Sequence, residues 1–207
     1  MRRSFLPLVA LLLATACSQP EPASVEAPTP VAPEPAAPPG PSPGTVEAEQ
    51  ALARNDPAVI NFEGFGPAKF GASEEQVRMA WGHPLEAAAP GEGSTCYYLT
   101  MDPTPEGGYG IAFLFEDGGF RRYDVDVALH AAPGDVTVGA RAEDVLAKFE
   151  GRVEAMPHKY VEGGRYLVVS PEQGGDARLV FEIDPQGLVT EWRIGLLPQV
   201  LYVEGCS

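Results

Sequence analysis

The clearest helical pattern lies in residues 69–85, KFGASEEQVRMAWGHPL. Three apolar residues recur at helical spacing and would form one stripe, namely Val77, Ala80 and Trp81. Ser73 and Gln76 have the spacing of a capping box, in which each side chain accepts a hydrogen bond from the backbone of the other residue. Gly82 and Pro84 then end the helix. The pattern predicts a short amphipathic helix that buries Trp81 in a core.

The same pattern recurs later in the chain. Shifting the sequence on itself by 68 residues (139 − 71 = 68) aligns about a dozen identical residues, whereas ordinary composition would give roughly three or four. Trp81 also aligns with Phe149. The identical residues in the first copy are Gly71, Ala72, Glu75, Val77, Glu86, Tyr98, Leu99, Pro103, Gly107, Phe113 and Gly119. This repetition predicts a duplicated unit.

Strand patterns follow each predicted helix. Residues 95–101 and 165–170 are short runs rich in β-branched and aromatic residues. Residues 110–129 and 177–194 each read as two strands joined by a turn, so each unit is a helix followed by three strands. Residues 199–205 supply a last strand.

These elements predict an α+β fold. We expect two tandem helix-then-antiparallel-strand repeats, with the helices packed on one face of a curved antiparallel sheet. The first repeat would span residues 45–132 and include an additional N-terminal helix at 46–54. The second repeat would span residues 133–207 and include the C-terminal strand.

The segments that open the two predicted helices, at about 70–84 and 138–151, carry a family resemblance. They read GASEEQVRMAWGHP and GARAEDVLAKFEG. Both resemble the G-M-T-x-x-x-V-x-x-x-x-G-x-P signature of exported outer-membrane assembly lipoproteins of the BamE type and of tandem-repeat β-lactamase inhibitory proteins. Ala72 and Ala140 stand where that signature has Met, and Arg141 takes the capping position of Ser73. The resemblance implies a helical hairpin on a small antiparallel sheet and a protein that binds other proteins without catalysis.

The N-terminus predicts export. Residues 1–16 contain two arginines and then an apolar run too short to span a membrane, which is typical of a Sec signal peptide. The residues before Cys17 resemble a lipoprotein lipobox, which implies that Cys17 is acylated and becomes the first mature residue. Ser18 after it would then direct the protein to the outer membrane. An ordinary signal peptide cut nearby is the alternative, and the paired arginines also echo a twin-arginine signal.

Residues 17–44 would connect the anchor to the domain. Ten of the chain's 22 prolines lie in this segment, which therefore has too little apolar surface to fold. We expect a disordered tether that reaches on the order of 80 Å when extended as polyproline II.

Charge and cysteine content limit which partners and which cell compartment we expect for this protein. The formal net charge of −15 argues against nucleic acid and anionic lipid surfaces as electrostatic partners. With Cys17 used for the lipid, Cys96 and Cys206 remain, and exported proteins usually pair an even remainder. We expect a disulfide between them. The alternative, a reactive or metal-binding thiol, lacks a nearby histidine and a C-x-x-C spacing.

Nothing in the sequence predicts an active site, a metal site or a cofactor. The three histidines, at positions 83, 130 and 158, lack ligand spacing and are expected in surface loops. Common catalytic motifs are missing from the sequence. Asp124 and Asp126 alternate with Arg122 on a predicted strand and would suit calcium binding or acid–base chemistry, but a solvated sheet face also explains them.

Aromatic residues are the remaining indication of function. Side-chain alternation would turn some of them toward the sheet face that the helices do not cover. The candidate binding aromatics are Tyr97, Tyr109, Tyr123, Tyr160 and Trp192. An exposed patch of this kind would suit a protein interface or a sugar platform. The alternative is that most of these rings fill the core.

These patterns lead to a functional hypothesis. We expect an outer-membrane lipoprotein whose domain, in the periplasm or at the cell surface, is a non-catalytic protein-binding or inhibitor-like module. The alternative is lectin-like binding of a carbohydrate or peptidoglycan fragment, which is favoured if aromatic rings and carboxylates share one groove. A structural spacer would need no exposed patch, and an enzyme would need a histidine or a carboxylate pair in a pocket.

Overall fold

Two antiparallel sheets dominate the computed structural model, which describes residues 59–102 and 107–206. The small sheet has the strand order β1-β2-β3, and the large sheet has the order β4-β5-β6-β7-β11-β10-β9-β8. The strands are β1 (Ile60–Asn61), β2 (Gly64–Phe65), β3 (Ala68–Lys69), β4 (Leu85–Ala87), β5 (Tyr97–Met101), β6 (Ile111–Glu116), β7 (Gly119–Val125), β8 (Val153–Pro157), β9 (Arg165–Val169), β10 (Ala177–Ile183) and β11 (Val189–Leu196).

In the part of the chain that the structure describes, two short α-helices interrupt the strands: α1 (Glu74–Trp81) lies before β4 and α2 (Ala142–Lys148) before β8. A 3-10 helix (Gln199–Leu201) follows β11. None of the described helices is long and apolar enough to cross a membrane.

The centre of the large sheet is the pairing of β7 with β11. Residues 122–125 of β7 pair with residues 192–195 of β11, and the register aligns Val125 with Trp192 and Arg122 with Gly195. A Cβ atom at position 195 would lie 2.6 Å from the Cβ of Arg122. Glycine at position 195 therefore leaves space for the Arg122 side chain on this face of the sheet.

The ends of α1 are those that the sequence predicts. Ser73 and Gln76 form the complete capping box, and Gly82 adopts a left-handed conformation (φ 79°) that ends the helix. By contrast, Arg141 at the N-terminus of α2 makes no side-chain capping bond.

The main core lies between one face of the large sheet and a cover made of α1, α2 and the small sheet. Phe65 of the small sheet contacts Trp81 of α1 and Phe113 of β6, with ring centroids 5.8 and 5.1 Å apart. Tyr123 and Trp192 of the central strand pair are fully buried in the same core. Burying an aromatic side chain of this kind contributes about 2–3 kcal/mol to stability.

The predicted fold class is wrong. The structure is mostly β, with a large eight-stranded antiparallel sheet and a three-stranded sheet, rather than an α+β arrangement of helix-then-strand repeats packed on a sheet. The helices have only eight and seven residues, and part of the cover that was expected from helices is the small sheet.

The missed strands carry weak sequence signals. Strands β1 to β3 have two residues each, which is too short for an alternating pattern, and four of the five residues of β8 are exposed. The predicted strand at 199–205 is a 3-10 helix followed by a turn. The predicted helix at 46–54, the signal peptide, Cys17 and the tether lie outside the described residues.

The capping box yields a prediction about stability. Ser73→Ala should lower the free energy of unfolding by about 1 kcal/mol, because the backbone N–H of Gln76 loses its acceptor. Urea denaturation measures this change. Arg141→Ser is the matched contrast and should raise stability, since it places a hydroxyl at an N-cap that lacks one. Equal stability of Ser73→Ala and the wild type would show that the cap contributes nothing.

Candidate functional site

The candidate site lies on the face of the large sheet that points away from the helices, called here the outer face. Side chains alternate along a strand, so the neighbours of the buried Phe113, Tyr123 and Trp192 point to this face. The register places Ala112 beside Asp124, and Asp124 beside Arg193. Charged side chains from β7 and β11 therefore lie next to one another on the outer face.

The C-terminal residues 199–206, called here the strap, cross the outer face. Val200 is fully buried and forms a small apolar cluster with Tyr166, Val168 and Val180. The disulfide between Cys96 and Cys206 joins the end of the strap to the residue before β5, which confirms the predicted pairing. The strap therefore covers part of the outer face.

Arg122 links the sheet to the strap. Its Nε atom donates to Asp124 Oδ2 at 3.1 Å, and its Nη1 atom donates to the strap carbonyls of Gln199 and Tyr202 at 2.9 and 2.7 Å. Its Nη2 atom donates to the Tyr98 hydroxyl at 2.6 Å. Arg122 is only 4% exposed and Asp124 only 2%. The buried ion pair and the strap carbonyls hold this guanidinium in one position.

Arg193 links β11 to the strap in the same way. Its Nε atom donates to the strap carbonyl of Val200 at 2.8 Å, and its Nη1 atom lies 3.2 Å from Glu191 and 3.4 Å from Glu182. The guanidinium also lies over the Tyr166 ring, 5.4 Å from its centroid. His158 extends the network, since its Nε2 atom lies 2.8 Å from Glu182 Oε1.

A cleft of about 490 Å³ opens beside this charge network. Its lining includes the small side chains of Thr100 and Ala112, the tyrosines at 98 and 109, and the strap residues 203–205. The charged side chains that line it are Arg122, Asp124, Glu182, Glu191, Arg193 and Glu204. A Cβ atom at Gly205 would lie 2.9 Å from the Tyr98 hydroxyl, so the strap packs closely against that wall.

Burial and neighbouring charge shift the ionisation of this cluster. Burial, together with the charge of Asp124, raises the pKa of Glu191 to about 7, although Arg193 opposes the shift. Burial also raises the pKa of Tyr109, which lies beside Glu191 and Asp124, and that of Tyr98. Burial therefore disfavours the ionised forms of Glu191, Tyr98 and Tyr109 in this cluster.

The five candidate binding aromatics do not form one patch. Tyr123 and Trp192 are fully buried in the main core, which corrects their assignment as exposed binding residues. Tyr97 stacks on Phe115 and donates to Glu74, so it joins β5 to α1. Tyr160 is 61% exposed in the loop after β8. Among the five, Tyr109 alone lines the outer-face cleft.

Asp124 on β7 and Asp126 just after it have different roles from those expected. Arg122 and Asp124 are buried, so a solvated sheet face does not describe them. Asp126 accepts from the backbone N–H groups of Tyr109 and Gly110 and fixes the loop before β6. Within residues 59–102 and 107–206, no group of three or more His, Cys, Asp or Glu side chains is arranged so that it could hold a metal ion.

Two of the histidines also differ from the prediction. His130 is only 3% exposed, and the His158 side chain is 6% exposed, although loop surface was expected for both. His158 stacks on Tyr166 with ring centroids 4.6 Å apart. His158 belongs to the outer-face network through its contact with Glu182.

The sequence prediction missed Glu182, Glu191 and Arg193. They occupy alternate positions between buried apolar residues of β10 and β11, for example on either side of Trp192. That alternation indicates a common face, and it could have placed these residues opposite the core. Their distance from Arg122 and Asp124 in the sequence concealed the cluster.

Comparisons with known proteins give no family. Neither a protein-family model nor a curated protein matches this chain. An extracellular protein containing an SCP domain from Bacillus anthracis str. Ames is 13% identical with a TM-score of 0.44, over 63% of this chain and 45% of that protein. This chain thus spans less than half the length of that protein.

Two further solved structures show a similar level of likeness. The uncharacterized protein yfeY from Escherichia coli is 13% identical with a TM-score of 0.44, over 67% of this chain and 96% of that one. A DUF4309 family protein (YjgB) from Bacillus subtilis subsp. subtilis str. 168 is 10% identical with a TM-score of 0.40, over 75% and 99%. These likenesses carry no argument about function.

The raised pKa of Glu191 predicts a pH dependence of stability. Because the pKa lies above its ordinary value of 4.5, the folded state binds this proton more tightly than the unfolded state. The free energy of unfolding should therefore fall as the pH rises from about 4.5 to about 7, by about 3 kcal/mol for this group. Glu191→Gln should remove that part of the slope in urea denaturation at several pH values.

The control for this prediction is Glu154→Gln, which changes an exposed carboxylate on β8. This variant should keep the wild-type slope. A Glu191→Gln protein with the wild-type slope would show that Glu191 does not titrate differently in the folded state.

The disulfide yields a second prediction at this site. Cys96→Ser combined with Cys206→Ser should lower the free energy of unfolding by about 3–5 kcal/mol, because the bond closes a loop of 110 residues. Amide hydrogen exchange in the strap should accelerate more than in β6. Cys17→Ser leaves the disulfide intact and should retain wild-type stability. Unchanged strap exchange in the double variant would show that the arginine contacts alone hold the strap.

Proposed function

We propose that this protein is an exported, non-catalytic binding module of the cell envelope, and that the outer-face cleft is its ligand site. One observation carries the proposal: two tyrosines, Tyr98 and Tyr109, share a single cleft with the carboxylates of Asp124 and Glu191. Tyrosines offer flat apolar surface together with a hydroxyl, and carboxylates accept hydrogen bonds from hydroxyl and amine groups. This combination favours a small polar ligand such as a cell-wall sugar.

The rigidity of the charge network supports recognition of a ligand. Arg122 and Arg193 are fixed by carboxylates and by strap carbonyls, so little side-chain entropy remains to be lost on binding. The cleft volume of about 490 Å³ lies within the usual range for small-molecule sites.

Attachment to the outer membrane through Cys17 belongs to this proposal. A lipid on Cys17 and the proline-rich segment 18–44 would tether the domain in the periplasm or at the cell surface, with a reach on the order of 80 Å from the bilayer when the segment is fully extended. This arrangement would let the cleft reach ligands in the cell wall.

A protein partner is the second candidate. Four apolar side chains near the edge strand β8 are between 37% and 61% exposed, and we call them the β8 patch: Met156, Tyr160, Val161 and Leu201. Exposed apolar side chains beside an unpaired sheet edge suit a protein interface. Combining Met156→Lys with Leu201→Lys should abolish capture of such a partner from an envelope extract. Capture that is unchanged by these substitutions would exclude the β8 patch.

Occlusion of the cleft tests the leading proposal. Thr100→Phe should fill the cleft beside Ala112, because the larger side chain projects from the outer face of β5. Titration of a panel of cell-wall sugars and other small polar compounds against the full-length protein should find a ligand whose affinity falls at least about tenfold in this variant.

Thr190→Phe is the matched control, since Thr190 is an exposed threonine on β11 that does not line the cleft. It should retain wild-type affinity. A panel in which every bound compound tolerates Thr100→Phe would place the ligand site elsewhere and contradict the proposal.

A further inference from the structure

We infer that the outer-face cleft recognises a ligand through a protonated amine on that ligand. This inference rests on the proposed function and names the chemistry that the cleft would select. It depends on which hydrogen-bonding groups the charge network has already used and which it leaves open.

The positive groups of the cleft are largely committed to partners within the protein. A guanidinium has five N–H donors, and Arg122 makes four hydrogen bonds, to Asp124, Gln199, Tyr202 and Tyr98. Three of these four bonds fix either the strap or the Tyr98 wall. An anionic ligand would have to compete with these bonds for the guanidinium, so phosphate or carboxylate groups suit the cleft poorly.

Arg193 is committed in the same way. It makes one hydrogen bond to the strap carbonyl of Val200 and two to the carboxylates of Glu182 and Glu191. Its guanidinium also makes a cation–π contact with the Tyr166 ring. The hydrogen bonds of Arg193 are therefore also made to groups within the protein.

The negative groups, by contrast, are in excess. Three carboxylates face two guanidinium groups, which leaves a formal charge of −1 when all five are ionised and His158, which contacts Glu182, is counted as neutral (2 − 3 = −1); the five groups are Arg122, Arg193, Asp124, Glu182 and Glu191. The nearby Glu204 is already paired with Lys159 at 2.7 Å. A ligand that brings a positive charge would balance the cluster.

Asp124 gives the independent indication of a missing donor. Its side chain is only 3% exposed and lines the cleft, yet its Oδ1 atom receives no hydrogen bond from the residues that the structure describes. Arg122 Nε lies 2.9 Å from this atom, but the same N–H group is directed at Oδ2. Buried carboxylate oxygens are normally satisfied by several donors, and an ammonium group has three.

The energetics of Glu191 agree with this assignment. Burial and the charge of Asp124 raise its pKa, and Arg193, whose Nη1 atom lies 3.2 Å from Glu191, offsets this rise only in part. An ammonium group in the cleft would favour the ionised form of Glu191. The net charge of −15 would also attract cationic ligands to the protein from a distance.

An amino sugar and a polyamine share this chemistry, and matched pairs of probes distinguish them. The probes are glucosamine, N-acetylglucosamine and glucose as one set, and putrescine and butane-1,4-diol as the other. Each is titrated into the full-length protein at pH 7, where the amines are mostly protonated and Glu191, with a pKa of about 7, is partly ionised. Binding is followed by calorimetry and by amide chemical shifts of Thr100 and Ala112. At least one amine should bind at least about tenfold more tightly than its neutral analogue and should shift these two amides.

Two variants assign the effect to the cleft. Glu191→Gln keeps the shape of the side chain and removes its charge, so it should weaken amine binding by at least about tenfold at pH 7. Glu154→Gln removes an exposed carboxylate of β8 that does not line the cleft, and it should leave the affinity unchanged. Equal weakening by both variants would mean that general attraction to an acidic protein explains the binding, which would overturn the inference.

The remaining outcomes separate this inference from the proposed function. Equal binding of an amine and its neutral analogue, with shifts at Thr100 and Ala112, would overturn the amine assignment and retain the cleft as a ligand site. If no amine binds, the inference also fails, while a neutral ligand that is sensitive to Thr100→Phe would still support the proposed function. A result in which Thr100→Phe affects no ligand would overturn both.

Discussion

The antiparallel pairing of β7 with β11 is the constraint on which the rest of the structure depends. It joins the strands β4 to β7 and the strands β8 to β11 into one continuous sheet. On one face it brings Tyr123 and Trp192 together in the main core, with ring centroids 6.1 Å apart. On the other face it brings Asp124 beside Arg193. A single strand pairing thus builds both the core and the candidate site.

The strap depends on the same pairing. Arg122 and Arg193 stand on adjacent strands and donate to three strap carbonyls, those of Gln199, Tyr202 and Val200. Hydrogen bonds from a charged group to a carbonyl are each worth about 1.5–3 kcal/mol when buried. The disulfide adds a covalent restraint at the far end of the strap. The wall of the cleft is therefore held by groups that the central strands position.

A buried ion network of this kind is expensive for folding, because its charges are removed from water. Part of this desolvation cost is offset by the ion pair of Arg122 with Asp124 and by the contacts of Arg193 with two carboxylates. The compensation is incomplete at Glu191, where burial still raises the pKa. Strongly shifted carboxyl groups in a cleft are a common property of ligand and active sites, which is why this part of the molecule is the strongest candidate for function.

The sequence by itself determined the local features. Capping and spacing fixed the bounds of α1 and the burial of Val77, Ala80 and Trp81, since a helix end depends on residues within one turn. With Cys17 set aside as the predicted lipid site, two cysteines remained, and this was enough to predict the pairing of Cys96 with Cys206. Alternation also indicated that Arg122 and Asp124 share one face of a strand, because successive side chains point to opposite sides.

Only the tertiary structure decided which face was buried, which strands were neighbours and how much of the fold was sheet. Periodicity reports the two faces of a strand but does not say which strand lies beside it, and 71 residues separate Arg122 from Arg193 (193 − 122 = 71). The same limit led to the placement of Tyr123 and Trp192 on an exposed surface and of His130 in a surface loop. The strap made Arg122 and Asp124 buried groups rather than solvated ones, since residues far along the chain cover them.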